Sequence, residues 1–162
     1  GAAVLSVSEE DGILSMVQGS DGFRGDVLNC MARKVNNPYK KNDTALSYVS
    51  MNGQEVYRFA VKTVPKAVTD AVEKAGLQLE EVDLFLLHQA NYRIIEAVSK
   101  RLGQPMEKFP TNLEECGNIS AASVPILLDK VRKDGMIKHE EKIILSGFGA
   151  GLTWGACAIE WQ

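Results

Sequence analysis

The sequence predicts a layered α/β domain, and three features lead there. Strand-length apolar runs alternate with stretches of helical periodicity, and the order strand, polar residue, helix occurs twice, at His88 and at Asn118. The chain then finishes on two strands joined by a glycine-rich turn, the second apolar on both faces and so suited to the middle of a covered sheet. A length of 162 residues suits one domain with a substantial core, since domains commonly run to about 100–150 residues.

Taken in order, residues 2–7 and 13–17 are short apolar or alternating runs separated by Glu9-Glu10-Asp11-Gly12, which predicts a hairpin. The opening Gly1-Ala2-Ala3 has no basic region ahead of an apolar one, so it reads as a strand already under way in a longer protein and not as a signal peptide. Residues 19–50 have weak periodicity and the turn signals Asn36-Asn37-Pro38 and Lys40-Lys41-Asn42-Asp43, an irregular excursion. Asn52 with Glu55 forms a capping box for an amphipathic helix that runs to Gly76, with Pro65 as a point of kinking. Residues 82–87 predict a buried strand. Asn91 then caps a helix with Ile94, Ile95, Val98 and Leu102 on one face, ending at Gly103. Residues 109–113 read as a weaker strand, Gly117-Asn118 as a turn, and 119–133 as a helix closed by Gly135. Residues 143–145 and 152–161 are the final strands.

Composition narrows the function. An apolar share of 45% and a charged share of 24% are those of a soluble globular protein, and no run approaches the roughly 18 apolar residues of a membrane span. A net charge of −3 argues against a general nucleic-acid binder. Three cysteines without paired short spacing, beside two histidines, make neither a zinc site nor a disulfide framework.

The chemistry centres on His88 and Asn118, each where a strand gives way to the next element. A neutral imidazole and a carboxamide so placed can aim two donors at one oxygen, which stabilises a developing enolate or oxyanion. A helix N-terminus near His88 disfavours the imidazolium. The same residues also have ordinary readings: a strand-end histidine satisfied by backbone, and a Gly-Asn turn and cap pair. Gly147-Phe148-Gly149-Ala150-Gly151 precedes a strand and lacks a following Lys-Ser/Thr, so it is not a phosphate loop. It can bring backbone amides to a carbonyl, form a tight hairpin, or both. Arg58 and Lys62, one helical turn apart, and Arg93, Lys100 and Arg101 on the next helix form basic stripes that suit an acidic partner or a solvated face. No cysteine reads as a nucleophile. Glu114 and Glu115 would raise the pKa of Cys116, Cys30 lies in the irregular region, and Cys157 lies in a buried strand.

Three ordered motifs, His88-Gln89-Ala90-Asn91-Tyr92-Arg93-Ile94-Ile95, Gly117-Asn118-Ile119-Ser120-Ala121-Ala122-Ser123 and Phe148-Gly149-Ala150-Gly151-Leu152-Thr153-Trp154-Gly155, resemble the C-terminal half of the β-ketoacyl-acyl-carrier-protein synthase III family. The resemblance implies a thiolase-like fold: half of an αβαβα layered structure with a mixed five-stranded sheet covered by helices. It divides the chain into 1–18 as the last strands of the preceding half, 19–51 as a connecting excursion and 52–162 as the C-terminal domain. It also implies a decarboxylative Claisen condensation that starts fatty acid synthesis. A cysteine in the other half takes an acyl group from acyl-coenzyme A, and malonyl-acyl-carrier protein loses carbon dioxide to give the attacking enolate.

On this resemblance His88 and Asn118 stabilise the enolate, Phe148 and Gly149 border the reacting thioesters, and Gly53, Ala90, Asn91 and Ile94 line the pantetheine tunnel. Arg58, Arg93, Lys100 and Arg101 would dock the acidic carrier protein. No metal or cofactor is implied, and the expected enzyme is a cytoplasmic homodimer with neither nucleic-acid nor membrane partners. Ile119 stands where the family often has threonine, and the cysteine-bearing half is absent, so the chain alone is expected to be inactive. Other implied readings are a different thiolase-fold condensing enzyme and a non-catalytic carrier-binding half of a split protein.

Overall fold

The buried strand predicted over 82–87 is the reference for the fold. In the computed structural model, which describes residues 1–30, 39 and 48–162, it appears as β4 (Leu84–Leu87), buried at every position. Its alternating side chains explain why. Phe85 and Leu87 belong to one core cluster with Val64, Val68, Ile95 and Val98, and Leu84 and Leu86 to another with Leu127 and Val131. A strand covered on both faces has no polar side to show.

Those covers are three helices. On one face lie α1 (Gly53–Lys74) and α2 (Tyr92–Leu102), and on the other α4 (Ser123–Lys133). The cap expected for α1 forms: Asn52 Oδ1 accepts from the Glu55 N–H at 3.2 Å, satisfying one of the donors a helix start leaves over. Pro65 lies buried within α1 without ending it. α2 ends as expected on Gly103, whose φ of 65° is the left-handed conformation that glycine adopts without a Cβ clash.

The sheet is completed by β1 (Ile13–Ser20), β5 (Lys142–Gly149) and β6 (Thr153–Glu160), in the order β1-β6-β5-β4. β4 runs parallel to β5, and β5 and β1 run antiparallel to β6. β6 is internal, as its two apolar faces predicted. Four strands stand in this sheet among the described residues, against the five expected.

Two expected strands are replaced. Residues 109–113 leave a short 3-10 turn at Met106–Lys108, and the Phe109 ring stacks on Phe85, centroids 4.7 Å apart and planes 8° from parallel. Pro110, with no N–H to give a ladder, follows at once. The chain then enters the single turn α3 (Leu113–Cys116). Residues 2–7 are not a strand, and Val4, Leu5 and Val7 are exposed. β1 pairs instead with β6, Met16 opposite Cys157, so the expected hairpin gives way to a partner distant in sequence. Because that ladder runs through Ser20, residues 13–20 belong to the same sheet as β4, β5 and β6. Within the excursion, β2 (Leu28–Asn29) pairs with β3 (Ser50–Met51), and much of the stretch between them lies outside the described residues.

Candidate active site

β4 delivers His88 at its C-terminal end. The His88 backbone N–H donates to the Ser146 carbonyl at 2.8 Å, continuing the parallel ladder by one residue, and the His88 carbonyl accepts from the Ala90 N–H at 3.0 Å as the chain turns toward α2. The neighbouring strand β5 brings Phe148 alongside. The imidazole and phenyl rings meet edge to face, centroids 5.3 Å apart. Half-buried in this apolar setting, His88 has its pKa held below 6.5, because burial penalises the charged ring. It is therefore neutral at pH 7, with one ring N–H to donate.

Asn118 arrives by a different route. Gly117, with a φ of 63°, reverses the chain after α3. Asn118 Oδ1 then accepts from the Ser120 N–H at 3.1 Å, so the carbonyl end is held by backbone and the amide end remains as a donor. His88 and Asn118 both line one cavity of about 850 Å³, with Ala90, Phe148 and Gly149. Leu28 of β2 and Met51 of β3 close another side of it. Two neutral donors in one largely apolar chamber can stabilise negative charge on a shared oxygen.

The expected tunnel residues divide. Ala90 lines the cavity. Gly53 is exposed as the first residue of α1, and Asn91 is exposed with its Oδ1 accepting from the Arg93 N–H at 2.8 Å as the cap of α2. Ile94, at 6% exposure, packs in the core between α2 and the sheet, on the apolar stripe that makes the helix amphipathic, and is not among the residues that line the cavity. The basic residues Arg58, Arg93, Lys100 and Arg101 are all exposed. Glu55 bridges Arg24 and Arg58, each at 2.9 Å, and Lys100 pairs with Glu96 at 2.9 Å. Arg93 and Arg101 make no ion pair with the described residues.

Comparison with known proteins places this geometry. The family described as 3-Oxoacyl-[acyl-carrier-protein (ACP)] synthase III C terminal matches residues 72–161. The chain belongs to this synthase III family. It is 43% identical over 162 residues to the β-ketoacyl-[acyl-carrier-protein] synthase III of Clostridium acetobutylicum, covering 99% of this chain and 50% of that protein. The crystal structure of the Thermus thermophilus synthase III superposes with a TM-score of 0.85 at 39% identity, covering 97% of this chain and 48% of that one. The priming β-ketosynthase of the R1128 polyketide pathway does so with a TM-score of 0.84 at 33% identity, covering 95% and 46%. The fold is thus thiolase-like, and the chain spans about half the length of the curated relatives it matches.

In this synthase III domain Cys30, expected to be inert in irregular chain, lines the cavity wall. Cys116 Sγ accepts from Asn112 Nδ2 at 3.7 Å, and burial pushes the Cys157 thiol up. Among the described residues no group of three or more His, Cys, Asp or Glu is placed to hold a metal, and no helix is long and apolar enough to cross a membrane. Sequence reading missed Gln89, which is buried beside His88, and Phe59, which meets Phe148 from α1. The available signal for the first was its place two residues after the buried run of residues 84–87. For the second there was none, because Phe59 reads as one more core position.

Proposed function

We propose that this chain supplies the enolate-stabilising half of a β-ketoacyl-acyl-carrier-protein synthase III, which condenses an acyl-coenzyme A primer with malonyl-acyl-carrier protein. The observation that carries the reading is that His88, held neutral by burial, and Asn118, whose Oδ1 is taken by the Ser120 N–H, line one cavity. As the malonyl carbon–carboxylate bond breaks, carbon dioxide leaves and the bonding pair moves toward the thioester oxygen. The His88 ring N–H and the Asn118 Nδ2–H donate to that oxygen. The enolate carbon then attacks the acyl-cysteine of the other half, whose thiolate leaves, and the product is a 3-oxoacyl thioester on the carrier protein. Phe148 and Gly149 border the reacting groups, and Ala90, with Gly53 and Asn91 toward the entrance, lies along the pantetheine arm.

Exposed Arg58, Arg93, Lys100 and Arg101 on two helices that pack side by side support docking of an acidic carrier protein. The enzyme works as a cytoplasmic homodimer with no cofactor beyond its thioester substrates. In the complete synthase, His88→Ala or Asn118→Ala lowers malonyl decarboxylation about 100- to 1,000-fold while acyl transfer to the cysteine continues. Unimpaired release of carbon dioxide in both variants would sink the assignment.

A further inference from the structure

Gln89 directly follows the imidazole yet is turned into the protein, with 0% of its surface exposed. A buried carboxamide is costly unless both its ends are bonded, and here both are. Gln89 Nε2 donates to the Leu87 carbonyl at 2.9 Å, and Gln89 Oε1 accepts from the Asn112 backbone N–H at 3.2 Å. Leu87 is the last residue of β4, the strand that presents His88. Asn112 opens α3, accepting from the Glu115 and Cys116 N–H groups at 3.2 and 2.9 Å, and α3 hands the chain to Gly117 and Asn118. One buried side chain thus joins the segment bearing one donor to the turn bearing the other.

We propose that Gln89 is a positioning residue that fixes the separation between the His88 and Asn118 donors, an inference that rests on the role given to that pair above. Two donors act on one oxygen only while their spacing holds. The loss on breaking the link therefore falls on malonyl decarboxylation and not on acyl transfer, which uses the other half's cysteine.

The test measures both half-reactions in the complete synthase for Gln89→Met, which fills the volume without either bond, and for Gln89→Glu, which keeps an acceptor for the Asn112 N–H. Decarboxylation kcat is expected to fall about 100-fold in Gln89→Met, the scale of loss for a misplacement of about 1 Å, with acyl transfer and the KM for malonyl substrate within about twofold. Gln89→Glu keeps the Asn112 bond but sets an oxygen against the Leu87 carbonyl in a buried site, so its decarboxylation falls at least as far. Wild-type decarboxylation in both variants, or parallel loss of both half-reactions in both, overturns the inference. His88→Ala in the same assays separates the two readings. Retained decarboxylation there removes the role of His88 and this inference with it, whereas its loss there beside full activity in both Gln89 variants overturns the inference alone.

Discussion

The rings of His88 and Phe148 meet edge to face at 78°, and the phenyl ring is part of the apolar wall that keeps the imidazole from water. Phe148 meets Phe59 in turn at 6.2 Å and 74°, and Phe59 meets Trp154 at 5.7 Å and 66°. An aromatic run thus leads from α1 to His88, and on the proposed role its burial of the ring favours the neutral imidazole.

That dependence is measurable as a pH profile. Burial holds His88 below its ordinary 6.5, so the neutral donor survives to lower pH than a histidine in water would allow. Phe148→Leu admits water and moves the acid limb of malonyl decarboxylation to higher pH, toward the ordinary value. The stability linkage has a definite sign: the unfolded chain binds the His88 proton more readily than the folded one. Stability from this source is complete above pH 6.5 and is lost as pH falls through the window beneath it. Denaturation midpoints across that window, beside the rate profile, check both statements. An acid limb that stays put in Phe148→Leu would show that other atoms provide the desolvation.

Stability should separate cap from core. Asn52→Ala removes the acceptor for the Glu55 N–H at the start of α1 and costs about 1 kcal/mol. Phe109→Ala removes a buried ring stacked on Phe85 and costs about 3–5 kcal/mol. Urea unfolding of each variant measures the difference, and equal losses would contradict the placement of Phe109 in the core.

These two residues also show what the sequence made legible. Asn52, Asn91 and Gly103 act within a few residues of themselves, so helix ends could be read from local chemistry. Phe109 could not be. Its apolar neighbourhood suggested a strand, and only the distant Phe85 ring shows that it is a core wedge in a loop. The pairing of β1 with β6 failed for the same reason, because a ladder between chain ends leaves no local trace. His88 and Asn118 were legible as polar interruptions at element ends. Position in a motif does not say which side of a helix a residue takes, and Ile94 lies on the core side of α2.

Carrier docking should depend unequally on its arginines. Arg58 already shares its charge with Glu55 at 2.9 Å, whereas Arg93 makes no ion pair among the described residues. Arg93→Glu is expected to raise the ratio of KM for carrier-borne malonate to KM for malonyl-coenzyme A roughly tenfold, corresponding to about 1.4 kcal/mol. Arg58→Glu raises it less, and added salt shrinks both effects. Steady-state kinetics on the two substrates at two ionic strengths decide this, and an unchanged ratio would place the carrier protein elsewhere.

The sharpest test of the donor pair is Asn118→Asp. Because Asn118 Oδ1 accepts from the Ser120 N–H, a carboxylate at this position keeps that bond and the local turn. What changes is the other end, where, on the proposed role, a donor becomes an anionic oxygen set against the thioester oxygen that gains charge in the transition state. Loss of one such donor commonly costs about 100- to 1,000-fold in kcat, and Asn118→Ala should fall in that range. Asn118→Asp should fall at least as far, since repulsion is added to the missing bond, although its fold is the less disturbed of the two. A decarboxylation rate for Asn118→Asp above that of Asn118→Ala would mean that the side chain acts through the turn it caps and not through the oxygen it faces.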